Sequence, residues 1–141
     1  MKTLLIVAYF LAAAAVVRSE DRGLLKKYLE YLVPYLNPCA EEFELTDEAH
    51  NVQPIGDTAD VSKMGCVRAC VMKRMEALKG VDVQLGPIVT MIESVHAGYP
   101  EEIEEVKKIA ANCIEITKGL TNECDIGMQY ADCYIKKLFE Q

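Results

Sequence analysis

Apolar residues recur at intervals of three and four along most of the chain, which is the spacing of a helix that buries one face. The first such stretch predicts a helix from Asp21 to Cys39, bent or interrupted by the two prolines within it. Thr46 can cap a short second helix, which should stop before Pro54 because a residue that precedes proline avoids helical geometry. No segment alternates apolar and polar residues convincingly, as a half-buried strand does.

Four further helices are predicted from apolar stripes that end at glycines or begin at prolines and capping residues. The third runs from about Asp60 to Leu78, and Gly80 is its candidate C-cap. The fourth extends from Pro87 to Gly98, the fifth from Pro100 to Gly119, and the sixth from Thr121 to about Leu138. The predicted fold class is therefore all-α, with one domain of six helices.

The N-terminal segment has a composition of its own. Lys2 precedes an unbroken apolar run from Leu4 to Val17, and polar residues follow it. This is the pattern of a secretory signal peptide, and the run is too short to span a bilayer comfortably. We expect a signal peptide over residues 1–19, cleaved after Ser19, and a mature domain over residues 20–141. The alternative is a stable N-terminal anchor, although no strongly basic stop signal follows the run.

The charge balance narrows the classes of partner. The 141 residues hold 15 Lys+Arg against 22 Asp+Glu, a net charge of −7. A protein that binds polyanions needs clustered basic residues to replace counterions, and the basic clusters here are pairs such as Lys26-Lys27. The composition therefore argues against nucleic acid and anionic membrane surfaces as main partners. We expect no stable membrane insertion, because no segment after the N-terminal run is long and apolar enough.

If the chain is exported through an oxidising compartment, its six cysteines predict three disulfides. None forms the C-x-x-C pair that zinc sites favour, so no metal is expected. Cys66 and Cys70 share one helix face and should reach different partners. Cys124 and Cys133 lie about 13 Å apart along a helix, beyond disulfide reach. These two exclusions leave about ten of the fifteen pairings open.

Sequence motifs for catalysis are lacking around both histidines, His50 and His96. Carboxylate pairs such as Glu101-Glu102 are interspersed with lysines, as on a solvated helix face. We therefore expect no catalytic residues, no cofactor and no enzyme activity. A small secreted lipid-active enzyme that uses one of the histidines is a rival interpretation. His96, near the end of the fourth predicted helix, is expected to be a surface or capping residue, and a pH switch is the alternative.

The apolar faces are rich in methionine, the side chain that adapts most easily to irregular shapes. These residues are Met64, Met72, Met75, Met91 and Met128. They fill either an ordinary core or the wall of a cavity, and three disulfides make a cavity tolerable because they brace short helices independently of core filling. We favour a secreted carrier for a small hydrophobic ligand. The alternative is a secreted interaction or signalling protein that presents a surface and has no ligand pocket.

The intervals Cys39-x26-Cys66-x3-Cys70-x42-Cys113-x10-Cys124-x8-Cys133 resemble the six-cysteine pattern of insect odorant-binding proteins, which include the pheromone-binding proteins. The resemblance covers essentially the whole mature chain. It implies a compact six-helix fold with an internal hydrophobic pocket and the disulfides Cys39–Cys70, Cys66–Cys124 and Cys113–Cys133. It also implies transport of odorants, pheromones or similar molecules through sensillum lymph or another secreted fluid. A homodimer and contact with an olfactory receptor are further partners that the resemblance raises.

We expect the walls of that pocket to come from inward-facing positions of the predicted helices. These are Leu29, Leu32, Val71, Met72, Met75, Ile88, Met91, Ile92, Val95, Ala110, Ile114, Tyr130, Ala131 and Tyr134. Tyr134 is the leading candidate for a hydrogen bond to a ligand hydroxyl or carbonyl, and a structural bond to the backbone is the alternative. Phe139 either covers the pocket mouth as a lid or belongs to a fraying terminus. A ligand of about eight to twelve carbons would reach micromolar affinity at about 0.8 kcal/mol per buried CH₂.

Overall fold

The computed structural model describes residues 22–44 and 58–139, and these residues form five helices and one short hairpin. The helices are α1 (Arg22–Glu42), α2 (Thr58–Arg74), α3 (Leu85–Val95), α4 (Pro100–Thr117) and α5 (Glu123–Phe139). The strands β1 (Leu78–Lys79) and β2 (Asp82–Val83) join α2 to α3. The class is mostly helical, as the sequence predicts. The predicted signal peptide over residues 1–19 and the predicted helix between Thr46 and Pro54 lie outside the described residues.

A short hairpin that the sequence did not predict forms the connection after α2. Strands β1 and β2 pair antiparallel, with Leu78 opposite Val83 and Lys79 opposite Asp82. Gly80 stands at the first turn position with φ of 64°, which a two-residue hairpin of the type II′ class requires. Gly80 therefore shapes this turn and does not cap the preceding helix.

Helix α2 ends at Arg74, four residues before the predicted end at Leu78. Glu76 has a positive φ of 65°, so it takes the place that glycine usually holds after a helix. The Ala77 N–H donates to the Met72 carbonyl at 2.7 Å, and the Glu76 N–H donates to the Lys73 carbonyl at 3.0 Å. These two bonds are those of a Schellman motif, which satisfies the last carbonyls of the helix and turns the chain into β1.

Helices α2 and α5 pack backbone to backbone at two glycines. A Cβ atom on Gly127 would lie 2.6 Å from both the Ala69 nitrogen and the Gly65 oxygen. A Cβ atom on Gly65 would lie 2.5 Å from the Cys124 oxygen. Neither contact leaves room for a side chain, so both glycines are needed for this close approach.

Three disulfides brace the helices. Cys39–Cys70 joins α1 to α2, Cys66–Cys124 joins α2 to α5, and Cys113–Cys133 joins α4 to α5. This is the pairing that the resemblance to odorant-binding proteins implies. Each bridge connects two different helices, so α5 is held to both α2 and α4.

The buried apolar side chains form two clusters on either side of this frame. The first is built around Tyr28, Ile88, Ile92, Ile126 and Tyr134, and it joins α1, α3, α4 and α5. The second joins the later half of α1 to α2 and the end of α5 through Leu36, Val67, Ile135 and Phe139. Helix α1 therefore contributes to both clusters along its length and continues through its two prolines to Glu42. Within the described residues, no helix combines the length and apolarity needed to cross a membrane.

Candidate functional site

An apolar cavity of about 100 Å³ lies between α1, α2, α3 and α5. Helix α2 supplies Val71 and Met72, and helix α3 supplies Ile88 and Met91. The remaining lining residues come mainly from α1 and α5, with Ala77 from the turn after α2. They include Leu25, Tyr28, Leu32, Arg68, Met75, Tyr130, Ala131, Tyr134, Ile135, Leu138 and Phe139. Apart from Arg68, the lining residues carry aliphatic, thioether or aromatic side chains, a surface that favours an apolar guest.

Three tyrosines line the cavity with their rings and direct their hydroxyls at protein atoms. The Tyr28 hydroxyl lies 2.6 Å from His96 Nε2 and 2.7 Å from the Tyr134 hydroxyl. The Tyr130 hydroxyl donates to the Ala110 carbonyl at 3.1 Å. Hydroxyls satisfied in this way allow tyrosine rings to stand in an apolar wall without the cost of an unpaired polar group.

The hydrogen-bonded chain continues beyond Tyr28 to the surface. His96 is 2% exposed, and its Nδ1 lies 3.0 Å from Glu102 Oε1. Glu102 is half exposed on the first turn of α4. A carboxylate, an imidazole and two phenols thus form one continuous chain from the solvent to the cavity wall: Glu102, His96, Tyr28 and Tyr134.

Burial sets the protonation of the three tyrosines. It raises the pKa of Tyr28, Tyr130 and Tyr134 well above the ordinary value of 10.0, because the phenolate would lose its hydration in the protein interior. For Tyr28, the Tyr134 hydroxyl lowers the pKa by a smaller amount and the Glu102 charge raises it further. All three hydroxyls therefore retain their protons around neutral pH.

A buried ion pair stands behind the same wall. The Arg68 Nη1 donates to Asp132 Oδ1 at 2.8 Å and also lies 3.2 Å from the Met128 sulfur. Arg68 is 1% exposed, so its charge is compensated inside the protein by a carboxylate that is one-third exposed. This pair joins α2 to α5, the two helices that the Cys66–Cys124 disulfide also joins.

A larger cleft of about 640 Å³ is lined by His96 and by residues of α1, α3, α4 and α5. Its lining includes the apolar Leu24, Val95 and Ile109, but also charged groups. The charged residues are Lys27, Glu101, Glu102 and Glu105. An apolar molecule would strip water from these charges there, so the smaller apolar cavity suits a hydrocarbon better.

Comparison with known families decides the broad identity. The profile described as PBP/GOBP family matches residues 23–137, which is most of the chain. The chain belongs to the PBP/GOBP family. Members of this family are odorant- and pheromone-binding proteins, which bind small hydrophobic ligands outside the cell. A search of curated proteins finds no match to the chain.

Ten of the fifteen predicted pocket residues line the apolar cavity of this PBP/GOBP protein. They are Leu32, Val71, Met72, Met75, Ile88, Met91, Tyr130, Ala131, Tyr134 and Phe139. Phe139 is 6% exposed and is the last residue of α5. Tyr134 makes a structural hydrogen bond, but with the Tyr28 side chain and not with the backbone.

The other five predicted residues do not line this cavity. Ile92 and Ala110 are completely buried in the first cluster, and Ile114 packs against that cluster. Leu29 packs against the second cluster, and Val95 lines the larger cleft. An apolar stripe supplies helix-to-helix contacts and cavity walls with the same periodicity, so spacing alone does not separate the two.

For His96, the capping role predicted from the sequence is confirmed and the surface position is wrong. His96 does occupy the C-cap of α3, where its N–H donates to the Ile92 carbonyl, but its side chain is buried and not on the surface. Its partner Tyr28 was not among the predicted site residues, because Tyr28 falls beside the stripe of leucines in α1. Tyr28 and His96 lie 68 positions apart in the sequence, and the residues around each of them contain no pattern that predicts their contact. No group of side chains in the described ranges is arranged to hold a metal ion.

Proposed function

We propose that this protein is a secreted carrier that binds one small hydrophobic molecule in the apolar cavity and transports it through an extracellular fluid. The ligands would be odorants, pheromones or similar molecules. The observation that carries the proposal is an apolar cavity between four helices in a chain whose family binds such ligands. Binding transfers the hydrocarbon from water into this wall, with about 0.8 kcal/mol gained per CH₂.

The size of the cavity adds a condition to this mechanism. An engineered protein cavity of about 150 Å³ accommodates benzene, so about 100 Å³ corresponds to roughly four non-hydrogen atoms. A guest of eight to twelve carbons therefore needs side chains to move. Met72, Met75 and Met91 line the cavity and have the rotational freedom to do this at low cost. The disulfides keep the helices in place while these side chains rearrange.

Secretion is part of the same proposal. A signal peptide over residues 1–19 would send the chain to a compartment where its three disulfides are stable. The mature domain would then begin at residue 20, two positions before α1. A homodimer and contact with an olfactory receptor belong to the proposal through the family resemblance.

The rival classes fit the described residues less well. An interaction protein should present a large apolar patch, yet the described ranges expose three large apolar side chains, each about half exposed: Val81, Tyr99 and Ile116. A lipid-active enzyme built on His96 would need this histidine beside a water or a serine that it activates. Both ring nitrogens of His96 instead lie within hydrogen-bond distance of Tyr28 and Glu102.

Uptake of the apolar fluorescent dye N-phenyl-1-naphthylamine tests the proposal. The oxidised mature protein should bind the dye with micromolar affinity, and medium-length alcohols, ketones or esters should displace it. Ala131→Phe places a ring in the cavity and should weaken dye binding at least tenfold. Ala111→Phe makes the same change on an exposed face of α4 and should leave the affinity unchanged. Failure of the folded wild-type protein to take up the dye, or equal effects of the two variants, would reject the proposal.

A further inference from the structure

The protons in the chain from Glu102 to Tyr134 have one arrangement when His96 is neutral. The ionised Glu102 carboxylate only accepts, so His96 Nδ1 must carry the imidazole proton. Nε2 then has a lone pair and accepts from the Tyr28 hydroxyl. Because Tyr28 has donated its single proton, Tyr134 must donate to Tyr28.

This arrangement fixes what Tyr134 offers to a guest. Its only proton is directed at Tyr28, and the hydroxyl oxygen retains an acceptor lone pair. A guest with a hydroxyl group can donate to that lone pair once it displaces the neighbouring side chains. A ketone or ester has no proton to donate, so its oxygen finds no partner at Tyr134 and loses its hydration without compensation.

Protonation of His96 reverses the chain. Both ring nitrogens of imidazolium donate, so Nε2 then donates to the Tyr28 oxygen. Tyr28 can turn its own proton to Tyr134, which releases the Tyr134 proton for a guest carbonyl. The three tyrosine hydroxyls of the wall stay protonated in both states because burial raises each tyrosine pKa. The charge on one buried imidazole therefore changes the hydrogen-bonding character of a hydroxyl two links away.

We propose that the Glu102–His96–Tyr28 chain determines which polar group the cavity accepts, by making Tyr134 an acceptor when His96 is neutral and a donor when His96 is charged. This inference rests on the proposed carrier function and names the class of guest that the same cavity selects. His96, Tyr28 and Glu102 act as positioning residues, since the guest would contact Tyr134. Neutral His96 selects alcohols over ketones of the same skeleton, and charged His96 accepts both.

Other ionisable groups surround His96 and belong to this balance. They lie on α1, in the turn before α4, on α4 and on α5: Lys27, Tyr28, Tyr99, Glu101, Glu102, Glu105 and Tyr134. Among the hydrogen bonds of the described residues, those to the His96 ring come from Glu102 and Tyr28. The direction of the hydrogen bonds is therefore set by these two contacts.

Matched guests test this inference. Nonan-2-ol and nonan-2-one share one carbon skeleton, and neither carries a charge at pH 5 or at pH 8. For the wild-type protein, the ratio of the alcohol affinity to the ketone affinity should be about fivefold to tenfold higher at pH 8 than at pH 5. This factor corresponds to one hydrogen bond. Isothermal titration at both pH values gives the two affinities and their ratio, and the ratio cancels any general effect of pH on the cavity.

Substitutions among the hydrogen-bonded residues distinguish control of the Tyr134 proton from a purely structural role. Tyr28→Phe frees Tyr134 at every pH, so the alcohol-to-ketone ratio should become independent of pH. Glu102→Gln changes a half-exposed side chain, so this variant should fold even if Tyr28→Phe folds poorly. The new amide can donate a hydrogen bond to His96 Nδ1, and the preference for the alcohol over the ketone at pH 8 should therefore decrease. Tyr130→Phe removes a hydroxyl of the same wall that bonds to Ala110, and it should retain the pH dependence of the ratio. A wild-type ratio that is equal at both pH values would overturn the inference while leaving the carrier proposal intact, whereas absence of binding by either guest would remove both.

Discussion

The hydroxyl of Tyr28 lies 2.6 Å from Nε2 of His96, so a residue in the first turns of α1 is bonded to the residue that caps α3. The Tyr28 and His96 rings meet edge to face, and the Tyr28 and Tyr134 rings do the same. This contact places a polar junction where α1, α3 and α5 converge beside the cavity. Each hydroxyl and ring nitrogen of this junction has a hydrogen-bond partner in the protein, which is the condition for a stable buried polar group.

Tyr28→Phe should lower the free energy of unfolding by about 1–3 kcal/mol, because it leaves His96 Nε2 and the Tyr134 proton without partners in the interior. Tyr31→Phe, three residues along α1, alters a partly exposed ring and should change stability by about 0.5 kcal/mol or less. Urea denaturation of the two variants measures the difference. Equal stabilities would mean that the junction contributes nothing to folding.

Gly127→Ala should destabilise the protein by about 1–3 kcal/mol or more, since the new Cβ would lie 2.6 Å from backbone atoms of α2 that no side-chain rotation can move. Gly86→Ala, at the start of α3, meets no atom within 4 Å and should be neutral or stabilising by about 0.5–1 kcal/mol. Thermal unfolding followed by circular dichroism provides the comparison. A well-tolerated alanine at position 127 would show that the two helices are not in backbone contact.

The disulfides should differ in their contribution to stability. Cys66–Cys124 closes a loop of 58 residues and Cys113–Cys133 one of 20 residues. The loop-entropy relation gives about 4 kcal/mol for the first and about 3 kcal/mol for the second. Replacing each pair by alanine should therefore destabilise the protein more in the first case, as measured by guanidinium denaturation. The reverse order would indicate that native packing, and not chain entropy, dominates.

The free energy of unfolding should decrease in alkaline solution because three tyrosines are buried. The folded-state pKa of Tyr28, Tyr130 and Tyr134 is raised above 10.0, so the unfolded chain loses these protons first as the pH rises. The stabilisation is complete below pH 10 and decreases above it, by up to about 1.4 kcal/mol per pH unit for each group. Ultraviolet absorbance of tyrosinate should show these three groups ionising only as the protein unfolds. Reversible ionisation of all tyrosines near pH 10 in the folded protein would contradict the burial.

The helix boundaries were predicted best where a capping residue or a proline marks the end of an apolar stripe. Helix α4 begins at Pro100 as predicted, and α3 and α5 differ from prediction by a few residues at their ends. The hairpin escaped prediction because strands of two residues are too short for an alternating pattern. The early end of α2 escaped it because Glu76 adopts a conformation that its residue type does not favour.

The candidate site was predictable in its apolar part and not in its polar part. Met72, Met91 and Ala131 were identified from helix periodicity, which also selected the fully buried Ile92. The bond between Tyr28 and His96 joins positions 68 residues apart, and no local pattern encodes such a pairing. Periodicity gives the face that a helix buries, whereas the identity of the neighbour depends on how the helices assemble.

The occupancy of the cavity by a guest can be measured directly with the methyl groups of methionine. Met72, Met75 and Met91 line the cavity, whereas Met64 belongs to the second cluster and Met128 packs against that cluster. In protein labelled with ¹³C at the methionine methyls, addition of nonan-2-ol should shift the resonances of the three cavity residues and leave those of Met64 and Met128 in place. Saturating ligand that shifts none of the three, or that shifts Met64 and Met128 instead, would contradict the account of a carrier with its guest between α1, α2, α3 and α5.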